Sequence, residues 1–151
     1  MKIGIIVYSE TGHTRQVALE IKKVLELANH QVRLEEITVY NIASDKTLKD
    51  IPSMEGYDIL ILGTPVQGFS LPVPVQDYLK RTEIPKRQKL GVLMTQYFKV
   101  GWLGGNHTMR QLLSAVAYAN PDLYGYGIVH WSSRRRETQI KDLVKILTNI
   151  E

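Results

Sequence analysis

The 151-residue chain contains no cysteine. That excludes disulfide frameworks, thiolate zinc sites, iron–sulfur clusters and cysteine nucleophiles. Long apolar runs are missing too. The stretch Met1-Lys2-Ile3-Gly4-Ile5-Ile6-Val7 is too short for a signal peptide or a membrane span. The expectation is a cytoplasmic protein with no membrane association. No repeat, low-complexity tract or long linker interrupts the chain, so one domain over residues 1–151 is expected. Acidic residues are scarce in one half only. Residues 1–75 carry seven basic and nine acidic side chains, residues 76–151 twelve and six. A basic half suits an anionic ligand or an acidic partner as well as a solvated surface. A pI near 9.3 alone is a weak argument for nucleic acid, and no such partner is expected. At 44% hydrophobic and 23% charged residues, the composition is that of an ordinary globular chain.

The apolar pattern alternates in period. Lys2–Tyr8, Asp58–Gly63 and Leu90–Thr95 are short continuous apolar runs, like strands buried on both faces. Gln31–Ile37 alternates as an edge strand does, and Gly125–Trp131 is a fifth strand. Helical spacing occurs over Thr14–Ala28 (Val17, Ile21, Val24, Leu25, Ala28), Thr108–Ala119 (Met109, Leu112, Leu113, Val116) and Thr138–Ile150 (Ile140, Leu143, Val144, Leu147), and Val73–Lys80 can form a short helix after two prolines. The segment Thr38–Glu55 is the weakest unit, with Asp45, Lys46, Lys49, Asp50 and Pro52, and predicts a short helix or an ordered loop. Five strand–helix units imply an α/β three-layer sandwich on a five-stranded parallel sheet. The length suits the strand order 2-1-3-4-5. In such folds ligands bind at the carboxyl ends of the strands, where the strand order reverses.

Three loops fall there. The first is Ser9-Glu10-Thr11-Gly12-His13-Thr14, an S-x-T-G-x-T pattern between a buried strand and an amphipathic helix. Free backbone N–H groups at a helix start favour an anion. Hydroxyls of Ser9, Thr11 and Thr14 can donate to phosphate oxygens, and Gly12 permits a tight turn. A plain helix cap uses the same residue types. Four fixed positions at about 7% usage recur by chance only about once in 40,000 placements. His13 either approaches the phosphate or faces solvent. The pattern is neither the Walker loop nor G-x-G-x-x-G.

This loop resembles the FMN-phosphate loop of flavodoxins and flavodoxin-like proteins, and the element order resembles theirs along the whole chain. The resemblance implies FMN as cofactor. It also implies a second loop, Thr64-Pro65-Val66-Gln67-Gly68-Phe69, that contacts the flavin ring as in flavodoxin-like quinone reductases. In flavodoxins a peptide in this loop turns over on reduction, and Gly68 is the residue placed to allow it. The third loop holds Gln96, Tyr97, Phe98 and Trp102 as aromatic and polar candidates. Its Gly104-Gly105-Asn106 is similar to the Gly-Gly-Gln segment of those reductases. Tyr97 and Trp102 either stack on the ring or pack against the core or a neighbouring subunit. His107 reads as a helix-start residue rather than an acid–base group.

Typical flavodoxins are acidic near the flavin, whereas this third loop has no acid and carries Lys99. Arg134, Arg135 and Arg136 stand before the last helix, where positive charge is disfavoured. They suit an anionic substrate, a nucleotide phosphate or an acidic protein. Lys80, Arg81, Lys86, Arg87 and Lys89 fall at the opposite end of the sheet and read as structural surface. The expected function is flavodoxin-like electron transfer with a redox partner protein. An NAD(P)H-dependent FMN or quinone reductase is the alternative, and a flavin-free binding module stays open. Receiver domains share the topology but need an acid cluster after the first strand and an aspartate after the third. Ser9, Glu10, Thr64 and Pro65 stand there. No catalytic side chain and no metal site is expected.

Overall fold

The computed structural model describes residues 1–98 and 104–150. The chain runs β1 (Lys2–Val7), α1 (His13–Leu27), β2 (Gln31–Glu36), β3 (Thr38–Asn41), β4 (Asp45–Asp50), β5 (Ile59–Pro65), α2 (Val73–Arg81), β6 (Lys89–Gln96), α3 (Gly105–Val116), β7 (Asp122–His130) and α4 (Arg136–Thr148). A single turn of 3-10 helix, Ala117–Ala119, extends α3. Five strands form one parallel sheet in the order β2-β1-β5-β6-β7. Counting only the strands of this sheet, that is the expected order 2-1-3-4-5.

The central strands are apolar because both faces are covered. On β1, Ile3, Ile5 and Val7 meet α1 and α4 through Val17, Ile21, Leu25, Leu143 and Leu147. Ile6 and Tyr8 point the other way, into a second core shared with Tyr78, Leu79, Met109 and Leu112 of α2 and α3. Helix α1 ends where Asn29 takes a left-handed φ of 66° and His30 N–H reaches back to the Leu25 carbonyl at 3.1 Å. Four residues counted by spacing on the inner stripes lie toward their edges. Val24 is 40% exposed, Ala28 is exposed, and Leu113 and Val144 are only partly buried.

The second unit corrects the expected pattern. Thr38–Glu55 forms neither a helix nor a plain loop but an antiparallel hairpin, β3–β4, pairing Thr38 with Asp50, Val39 with Leu48 and Asn41 with Asp45. The crossover from β2 to β5 therefore has no helix, and the strand–helix repeat occurs four times rather than five. The physical reason is local. Thr38-Val39-Tyr40 is β-branched and aromatic, which suits a pleated surface. Asn41 Oδ1 accepts the Ala43 and Ser44 N–H groups at 2.9 and 3.1 Å and forms the turn. The segment has no apolar stripe to cover a sheet face. Leu48 alone in the hairpin is fully buried, with Val39 partly so. Burying one leucine contributes about 1.5–3 kcal/mol, enough to seat a hairpin against α2.

Helix starts also move. Helix α3 begins at Gly105 rather than Thr108, and α4 at Arg136 rather than Thr138. Gly105, Asn106, His107 and Arg136 thus lie in first turns rather than in loops. Lys80 and Arg81 close α2, where cations suit the helix end. No helix among the described residues is long and apolar enough to cross a membrane.

Candidate functional site

The loops after β1, β5, β6 and β7 meet at the carboxyl ends of the strands. Strand β1 delivers the chain to Ser9, and Gly12 turns it into α1 with φ 91° and ψ −5°. A Cβ built on Gly12 meets nothing within 4 Å, so the glycine answers to its left-handed backbone rather than to crowding. Ser9 Oγ accepts the Gly12 N–H at 3.1 Å, which shapes the turn and leaves the serine hydrogen to donate outward. Helix α1 has no side-chain cap and no acid in its first turn. Its first N–H groups, at His13, Thr14 and Arg15, are the donors a helix start leaves open. Thr11 and Gly12 are exposed beside them. The concavity therefore offers backbone and hydroxyl donors to an oxyanion.

Thr14 is used differently. It is 1% exposed, and its hydroxyl pairs with that of Thr95 on β6 at 2.8 Å. The Glu10 carboxylate is likewise engaged by protein groups. Oε2 accepts the Tyr8 hydroxyl and the Gln67 side-chain amide, both at 2.6 Å, and lies 3.6 Å from Lys46 Nζ of the hairpin. Partial burial pushes this carboxyl up, but the bonds from Tyr8 and Gln67 and the Lys46 charge outweigh it. They hold the group below the usual glutamate range. The Tyr8 hydroxyl is pushed up by burial and by the same bond.

The loop after β5 is a tight reversal. Gln67 and Ser70 exchange both backbone hydrogen bonds at 2.9 Å, and the two residues between them have positive φ, 55° at Gly68 and 62° at Phe69. Such a turn suits glycine at Gly68, whereas an aromatic at positive φ is uncommon. Thr64 lies beneath, 1% exposed, its hydroxyl donating to the Pro65 carbonyl at 3.0 Å. Val66 N–H is tied to the Thr95 carbonyl at 2.8 Å, which fastens this loop to β6. Leu71, at the loop's far end, is held from both helices behind it. Gln111 of α3 accepts its N–H at 2.8 Å and Gln76 of α2 donates to its carbonyl at 2.6 Å.

After β6, Gln96 is buried, while Tyr97 and Phe98 are 68% and 47% exposed. The Phe98 ring stacks on Phe69 at 5.5 Å and meets Tyr97 edge-on at 6.1 Å. Gly104, at φ 113°, abuts the backbone of Phe69. Gly105 has Ile128 and the Gln96 side chain where a Cβ would go. Both glycines are therefore packing requirements. Trp102 and Lys99 lie outside the described residues.

The end of β7 adds His130, and the loop after it Trp131, neither of which the sequence singled out for the site. Trp131 stacks on His13 at 4.0 Å and 12°, and the Arg136 guanidinium stands 4.9 Å from the Trp131 ring centre. Arg136 also donates to the Trp131 carbonyl at 3.0 Å. Burial, with the Arg136 charge, holds the His13 imidazole below its ordinary range. His13 is thus half-buried, with one ring face against Trp131. The His130 ring meets the Phe98 carbonyl at 2.6 Å, which ties this loop to the aromatic one. Trp131 follows a strand end and precedes three arginines, a position that could have marked it.

Between the loops lies a slot of about 180 Å3 lined by Glu10, Thr11, His13, Val66, Gln67 and Tyr97, among others. Ligand pockets commonly measure about 300–1,000 Å3, so a bound group would stay partly open to solvent. Thr11 and His13 belong to the helix start, and Pro65, Val66 and Tyr97 line the slot together with the polar Gln67, Thr95 and Gln96. Among the described residues no group of three or more metal-ligating side chains occurs.

No protein-family model matches the chain, and no curated protein matches it. Solved structures do. Oxidised flavodoxin 1 from Bacillus cereus aligns with a TM-score of 0.68 at 17% identity, covering 100% of both chains. A flavodoxin from the domain Archaea aligns at 0.68 and 10% identity, covering 99% of this chain and 96% of its own. The NAD(P)H:quinone oxidoreductase from Methanothermobacter marburgensis aligns at 0.69 and 13% identity, covering 99% and 98%. The fold is flavodoxin-like over essentially its full length.

Proposed function

We propose that the chain is an FMN-binding redox protein that transfers electrons in the manner of a flavodoxin. The observation that carries the reading is the concavity at Ser9–Thr14. An uncapped helix start, a left-handed Gly12 and Thr11 border a slot whose other walls set Pro65, Val66 and Tyr97 beside the side-chain amides of Gln67 and Gln96. A phosphate monoester joined to a planar ring fits both ends. Ser9, Thr11 and the open backbone N–H groups of His13, Thr14 and Arg15 hold the phosphate. Pro65, Val66, the Gln67–Phe69 turn, Gln96 and Tyr97 border the ring; Thr14, Thr64, Gly104 and Gly105 support these walls from beneath. Bound FMN supplies one- and two-electron chemistry. The chain's own residues bind it, fix its orientation and set the charge around it. Glu10 braces the two loops through Gln67 and keeps its charge turned toward Tyr8 and Lys46.

The visible spectrum of the purified protein tests the reading. Oxidised-flavin absorption, with FMN released on denaturation, is expected. A colourless protein that takes up no added FMN would overturn it.

A second reading, an NAD(P)H-dependent FMN or quinone reductase, is favoured by the cationic Arg134–Arg136 segment on the ligand face and by the oxidoreductase among the structural neighbours. Stopped-flow mixing with NADH and NADPH separates the two. Rapid bleaching of bound FMN marks a reductase, and none marks a carrier served by a protein partner.

A further inference from the structure

A second cavity stands beside the ring slot, and Tyr97 lines both. It measures about 490 Å3 and is bordered by Tyr97, Trp131, Ser132, Arg134, Arg136 and Glu137, among others. Its size lies within the usual range for small-molecule pockets. Its walls are fastened to each other. Ser132 N–H donates to the Tyr97 carbonyl at 3.2 Å, and the His130 ring meets the Phe98 carbonyl. Trp131 is fixed between β7 and α1 by its stack on His13. The two cations differ in their engagements. Arg136 serves the Trp131 ring and carbonyl and lies 3.8 Å from Glu137. Arg134 is exposed and, among the described residues, has neither an ion pair nor a side-chain hydrogen bond. Tyr97 presents a largely free aromatic ring at the opposite side. The serine hydroxyls are engaged within the loops, Ser132 donating to the Tyr97 carbonyl and Ser133 accepting the Arg135 N–H, so the cavity joins an uncommitted guanidinium to an open aromatic face.

We propose that this cavity binds a nucleoside phosphate, with the phosphate on Arg134 and Arg136 and the base against Tyr97. A guanidinium matches phosphate through paired N–H donors. A planar base stacks on an aromatic ring whatever its identity. Inorganic phosphate would leave the aromatic wall bare, and a nucleoside without phosphate would leave the guanidinium unpaired. The single carboxylate, Glu137, lies on the Arg136 side and leaves Arg134 as the principal phosphate ligand. The site borders the proposed FMN slot but needs no FMN to exist.

Calorimetric titration of the FMN-loaded chain with ADP at low salt is the test, with adenosine and inorganic phosphate as controls. One saturable ADP site is expected, with both controls at least tenfold weaker. Arg134→Gln should weaken ADP at least tenfold, Arg134→Lys should restore part of the loss, and both variants should retain FMN. No saturable ADP binding, or equal binding by wild type and Arg134→Gln, would overturn the proposal. So would ADP binding only to the cofactor-free chain and displacement by FMN, because ADP would then be borrowing the FMN slot. A chain that takes no FMN but binds ADP through Arg134 would defeat the FMN reading and leave this one standing.

Discussion

Gly104 packs so closely on Phe69 that a methyl group added to it would sit 2.5 Å from the Phe69 α-carbon. The ring-bordering loop after β5 and the start of α3 are thereby locked together by backbone contact. Gly104→Ala meets two obstacles, the contact itself and a φ of 113° that an L side chain rarely adopts. It should cost about 1–3 kcal/mol. Urea denaturation should show a lower midpoint with an unchanged slope. An unchanged midpoint would mean that the two loops move independently.

The phosphate concavity yields a second expectation. Ser9→Ala with Thr11→Ala removes two donors to a charged group, each worth about 1.5–3 kcal/mol. FMN affinity should fall by at least a hundredfold, read by calorimetry, while riboflavin affinity changes little. Thr14→Val should act mainly on stability, because its hydroxyl pairs with Thr95.

Tyr97 lines the slot and is 68% exposed, so the proposed function places it against the flavin ring. Tyr97→Ala should partly relieve the quenching of FMN fluorescence. It should also weaken binding by about 0.5–1.5 kcal/mol beyond the lost burial. Fluorescence titration reads both. No change in either would assign Tyr97 to a protein interface.

The Glu10 cluster predicts a pH dependence. Its carboxyl is held below the usual range, so the unfolded chain takes up the proton more readily than the folded one. The stabilisation is present above the ordinary glutamate value and is lost as pH falls through the lower folded value. Wild type should exceed Glu10→Gln in stability at pH 7, and the gap should close towards pH 3. A gap independent of pH would mean that shape, not charge, matters at this position.

Periodicity made the parallel sheet and three of the helices legible, because each central strand is apolar on both faces and each of those helices has one apolar stripe; the strand order followed from the resemblance to flavodoxins. The hairpin was not legible. It has a single apolar pair, Val39 with Leu48, between polar ones, and Asn41 shapes its turn. In the first loop the residue types pointed to an anion. Spacing alone could not show that Thr14 faces Thr95 or that Glu10 faces Gln67, since both partners lie on other elements. The Trp131–His13 stack joins the end of β7 to the start of α1, a relationship that only the folded sheet creates.

The central claim is that the Ser9–Thr14 concavity holds the phosphate of a flavin. Parallel calorimetric titrations of the cofactor-free chain with FMN and with riboflavin test it most directly. The same ring with and without phosphate isolates the concavity's contribution. FMN should bind at one site per chain, with riboflavin at least a hundredfold weaker. Equal affinity for the two, or no binding of either, would contradict the account.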